Sequence, residues 1–164
     1  VQPNTVTVTV FDQKYRIGRL NAITQFHVMR RLHGLAGSAG ETFMSVQRMG
    51  GSAQIEKAIR EKSAPDHNIL EVISPILRAI GDMKDEDVNY IFDTCLGVVE
   101  RRIPGDRGWA KIMPNPGVIM FDDIEMSHML VLTWKVLQAN LSNFFSDLLS
   151  ELLAQGTTGS GSAS

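Results

Sequence analysis

At 164 residues, with 43% hydrophobic and 21% charged residues, the chain is sized and composed for one folded domain with a single core and lies outside the disordered class. A formal net charge of -2 supplies no global attraction to nucleic acid or to an anionic membrane. The single cysteine, Cys95, excludes an intrachain disulfide, and no basic-then-apolar leader or run of about twenty apolar residues is present, so neither export nor membrane spanning is expected and the cytoplasm is the expected location.

In chain order, Thr5 to Val10 alternate Thr and Val, the period of a half-buried strand, and Phe11 to Lys14 interrupt the pattern before Tyr15-Arg16-Ile17-Gly18, which predicts a hairpin. Asn21 is a candidate cap for a first helix with apolar positions at Ile23, Phe26, Met29, Leu32 and Leu35, stopped by Gly34 or Gly37. From Ser38 to Ser63 the pattern weakens and holds one short helical stretch, Ala53 to Glu61; this is the expected flexible interior. Asp66 or Asn68 is placed to cap a helix through Leu70, Ile73, Leu77 and Ile80, kinked at Pro75 and ended by Gly81.

The clearest local signal starts at Asp85, read as an N-cap with Glu86 and Asp87 in the first turn. Val88, Ile91, Phe92, Cys95, Leu96 and Val99 follow at helical spacing, and Arg101 and Arg102 are placed at the helix C-terminus, where cations suit the dipole. Trp109 to Met113 and Val118 to Phe121, separated by Pro114-Asn115-Pro116-Gly117, predict a second hairpin. Asp122 or Asp123 is expected to cap a last helix of about seven turns running from Met126 through Leu152. Taken together the predicted fold is mainly α: a helical bundle with one or two small hairpins, a single domain over residues 1–155, and a flexible tail of small residues at 156–164.

Catalytic chemistry finds no footing in this pattern. His27, His33, His67 and His128 lie in separate segments without zinc spacing, so no metal is expected. The pairs Glu86-Asp87 and Asp122-Asp123 stand where helices start, and are read as helix-end anions rather than acid-base pairs or magnesium ligands. The Gly-rich stretches lack the strand, helix and Lys-Ser or Lys-Thr that a phosphate loop requires. Neither an enzyme nor a cofactor is therefore expected. Lys14, Arg16, Arg19, Arg30 and Arg31 form a run without an acid between Gln13 and Gly40, a locally basic surface that suits an acidic protein partner or plain solvation better than nucleic acid.

The last helix is apolar on more than one face through Leu130, Leu132, Trp134, Val136 and Leu137, and must be covered. Its first part is read as the core element, and its distal part, Leu141 to Leu153, as a surface for another copy or a client helix.

Three segments, in this order, resemble the tail assembly chaperones of long-tailed bacteriophages. They are Tyr15-Arg16-Ile17-Gly18-Arg19-Leu20-Asn21-Ala22 running into Gln25-Phe26-His27-Val28-Met29-Arg30-Arg31-Leu32; Asp85-Glu86-Asp87-Val88-Asn89-Tyr90-Ile91 with Cys95-Leu96-Gly97-Val98-Val99; and Val118-Ile119-Met120-Phe121-Asp122-Asp123-Ile124 continuing through Trp134-Lys135-Val136-Leu137 to Phe144-Phe145. The resemblance implies a non-catalytic protein of the infected host's cytoplasm. Such a protein binds and solubilises the tape measure protein, helps recruit tail tube protein, and is expected to act as a homo-oligomer without nucleic acid or membrane. Apolar exposure and charge make Phe26, Arg30, Arg31, Leu141, Phe144 and Phe145 the candidate partner-binding residues. The alternatives are a structural tail or baseplate component retained in the virion and a small nucleic-acid-binding regulator.

Overall fold

A computed structural model describes residues 5–33, 57 and 80–156, with side chains described as far as residue 142 and excepting residue 33. The predicted helical segments at 53–61 and 66–81 and the 156–164 tail lie outside these residues, apart from Lys57, the helical pair Ile80 and Gly81, and Gly156, where the last helix ends.

The chain opens with strands β1 (Val6–Val10) and β2 (Gln13–Ile17), antiparallel with Val10 opposite Gln13. The two connecting residues, Phe11 and Asp12, have φ of 47° and 64°, the left-handed pair that defines a type I′ turn and matches the twist of its strands. Phe11 is an unusual occupant of that region; its ring packs against His128 with centroids 4.4 Å apart, a contact that offsets the backbone cost. Helix α1 (Ala22–His33) follows, its N-terminus capped as expected: Asn21 Oδ1 accepts from the Thr24 amide at 2.8 Å.

Helix α2 (Asp85–Leu96) begins one residue earlier than its sequence suggests, with Lys84 rather than Asp85 in the cap position and Asp85, Glu86 and Asp87 all in the first turn, where they favour the dipole without capping it. Gly97 then ends the helix, and residues read from the sequence as its continuation form strand β3 (Val99–Arg102). Strand β4 (Trp109–Lys111) pairs with β3, giving one antiparallel sheet in the order β1-β2-β3-β4. The second hairpin is therefore β3–β4. The Asn115 to Val118 turn is held by a single bridge, with the Met120 amide donating to the Ile112 carbonyl at 2.9 Å.

Helix α3 (Met126–Gly156) spans 31 residues, about 46 Å at 1.5 Å per residue. Asp122 and Asp123 lie upstream of its start. Asp123 is instead paired with Arg101, and the Glu125 carbonyl accepts the Met129 amide in the helix's first bond.

One core joins the sheet and the helices. Val10, Tyr15, Ile17 and Val99 from the strands, Ile91, Cys95 and Leu96 from α2, and Val131, Leu132, Val136, Leu137 and Leu141 from α3 are all buried within it. Full burial of each such side chain is worth roughly 1.5–3 kcal/mol. These elements correct the expectation of a mainly helical bundle: the fold is α+β, helices on a four-stranded antiparallel sheet. The sequence marks the β1–β2 hairpin but not the joined sheet, because the second half pairs with β2 across more than eighty residues, Arg16 meeting Glu100.

Candidate functional site

Burial along α1 defines its two faces. Val28 is fully buried and Leu32 packs against the core, while Ile23 is 73% and Phe26 55% exposed. The expected apolar series of three-residue steps thus does not mark the core face: such steps advance about 300° each and drift around the helix. Ile23, Phe26, His27 and Arg30 share the outward stripe, with the Phe26 ring edge-on to His27 at 5.7 Å and Arg30 exposed at its end.

This stripe sits on a well-anchored helix. Gly18, just before α1, donates its amide to the Val98 carbonyl at 2.8 Å, and a Cβ there would lie 3.1 Å from that oxygen, so glycine allows the β2 end to close on the α2–β3 connection. Asn140 on α3 then clamps the connection between β2 and α1. Its Oδ1 accepts from the Leu20 amide at 2.8 Å, and its Nδ2 donates to the carbonyls of Gly18 and Val136. At the other end of α1, Arg31 pairs with Asp87 at 2.9 Å and lies 3.8 Å over the Tyr90 ring, binding α1 to α2.

Of the six candidate contact residues, Phe26 and Arg30 are accessible on one face. Arg31 is turned inward to α2, and Leu141 is 2% exposed within the core; neither is presented to a partner in this conformation, because each already satisfies an internal contact. Phe144 and Phe145 lie on the α3 backbone, and their side chains are outside the described residues. Ile23, absent from the expected site, joins Phe26 on the surface. Its position among residues of helical period made it look like core, and only the phase of Val28 distinguishes the two faces. Val118, Met120 and Met126, before and at the start of α3, are also more than half exposed.

The expected basic surface is partly neutralised. Arg16 donates through Nε to Glu100 at 2.7 Å and Arg31 is held by Asp87, which weakens any attraction for phosphate. Among the described residues no group of three or more His, Cys, Asp or Glu is arranged to hold a metal ion, and no helix is long and apolar enough to cross a membrane. Burial pushes the Cys95 thiol up to about 12, so it stays protonated and unreactive near neutral pH. Arg101, largely buried on the helix-facing side of the sheet, pairs with Asp123 at 2.6 Å and lies 4.8 Å from the Phe121 ring centroid. The hydrogen bond from Arg101 holds the Asp123 carboxyl below its ordinary range, while burial raises the neighbouring Tyr15 hydroxyl. These interactions join the loop before α3 to the sheet.

Ile23 and Phe26 thus form an exposed apolar stripe with a cation, Arg30, at its end. The family model described as phage tail assembly chaperone protein, TAC, matches residues 12–153. The chain belongs to the phage tail assembly chaperone family. No curated protein and no solved structure matches it. The match takes in β2, the three described helices except the last residues of α3, and the exposed Ile23, Phe26, Val118, Met120 and Met126 of the chaperone.

Proposed function

We propose that this chaperone binds and solubilises the tape measure protein during tail assembly and helps recruit tail tube protein, acting in the cytoplasm of the infected host. The observation that supports this most is the outward stripe of α1. Ile23 and Phe26 are exposed beside Arg30 on a helix whose other face buries Val28, whose N-terminus is capped by Asn21, and whose approach at Leu20 is held by Asn140. A large apolar side chain held in water on a rigid element is suited to cover the apolar face of a client helix, with Arg30 set to meet an acidic side chain at its rim. The distal part of α3, with Phe144 and Phe145, supplies a second contact in this reading, and several copies along one client gain from multivalency. The chaperone masks apolar surface and releases it without covalent chemistry.

Co-expression with the tape measure protein of the same phage tests the proposal. Wild-type chaperone is expected to move the client into the soluble fraction and to be absent from purified virions. A client that stays insoluble, or chaperone retained in the particles, contradicts it.

A further inference from the structure

We propose that the outer edge of β1 is a self-association site, at which two copies join edge to edge into one continuous eight-stranded sheet. The argument starts from the hydrogen-bond phase of the hairpin. A two-residue turn makes Val10 and Gln13 a hydrogen-bonded pair, and pairs alternate from there. The Gly18 amide donating to Val98 confirms that phase on the other side of β2. The amides and carbonyls of Thr7 and Thr9 consequently point away from β2, and among the described residues no strand pairs with them. The strand itself, Val-Thr-Val-Thr-Val, has no charge, proline or bulge, the devices that ordinarily protect an edge. The opposite edge is treated differently: β4 has three residues, carries Lys111, and is followed by Ile112, whose carbonyl accepts the Met120 amide.

The occupant is a second copy because the strand is self-complementary. A two-fold axis at Val8 places Thr7 opposite Thr9 of the other copy as hydrogen-bonded pairs on the outer face. It also brings the two Val8 side chains together on the helix-facing side and covers Val6, now 52% exposed. The basic residues Lys14 and Arg16 sit one strand back on the outer face. Across the seam the two β2 strands lie roughly 14 Å apart at the usual strand spacing, beyond the Debye length of about 8 Å at physiological salt, so the two rows of cations do not oppose pairing.

The test uses the full chain alone and is independent of the client reading. Light scattering on a concentration series is expected to show wild type approaching twice the 18.1 kDa chain mass. The T7E/T9E variant places Glu beside Arg16 and Lys14 within one chain but opposite Glu across the seam, and is expected to weaken association at least about tenfold while keeping its circular dichroism. Mixing it with T7K/T9K is expected to restore a mixed dimer, and T7P, which removes only an outward amide, to give monomer. A wild type that is monomeric throughout, or association unchanged in both T7E/T9E and T7P, overturns the proposal. So does a monomeric wild type whose client capture falls in T7E/T9E, which assigns the edge to a client strand instead.

Discussion

Single side chains decide how the parts of this fold are locked. Asn140 satisfies the backbone of Gly18, Leu20 and Val136 at once, and Asn140→Ala leaves partly buried amide and carbonyl groups unpaired. An urea titration is expected to show a loss of about 1–3 kcal/mol. Cys95 reports on the core. Its folded pKa is raised above 9.0 to about 12, so it contributes stability below pH 9 that is lost as the pH climbs toward 12. In native buffer its reaction with a disulfide reagent is expected to be roughly a hundredfold or more slower than in denaturant; fast native labelling would show that α2 opens readily. Asp123 works in the opposite sense. Its folded pKa is lowered by Arg101, so its contribution is present above the ordinary carboxylate pKa near 4 and is lost as pH falls through the folded value. Asp123→Asn is expected to be less stable at pH 7 and to show a shallower acid dependence, measured by melting temperature between pH 7 and pH 3.

Elements with local causes were legible in the sequence. The β1–β2 hairpin came from Thr-Val alternation, α1 from Asn21 and its apolar positions, and α3 from its long helical period. The β3 strand was not legible, because Val99 continued the α2 spacing and Arg101 and Arg102 suited a helix C-terminus. Its true cause is remote, β2 offering Tyr15 to Ile17 as a template. Only Gly97 gave a local sign of the break. The site was half legible for the same reason: Phe26 and Arg30 could be named from type and charge, whereas the inward turn of Arg31 depends on Asp87 and Tyr90 of another helix. Gly18→Val would press its side chain on the Val98 backbone, and a destabilisation of about 1–3 kcal/mol is expected from chemical denaturation.

At the scale of the molecule, the core that the described sheet and helices share holds α1 from beneath and leaves its Ile23 and Phe26 stripe in water. Stability and binding are thereby separated: residues that fix α1 face inward, and those proposed to meet the client face outward. Changing the stripe is expected to alter affinity with little effect on folding. The most direct measurement is the dissociation constant of the purified chaperone for its tape measure protein, wild type against I23S/F26S, with melting temperatures taken alongside. The account predicts a loss of affinity of at least about tenfold with melting temperatures close to one another. Equal affinities with both proteins folded would contradict it.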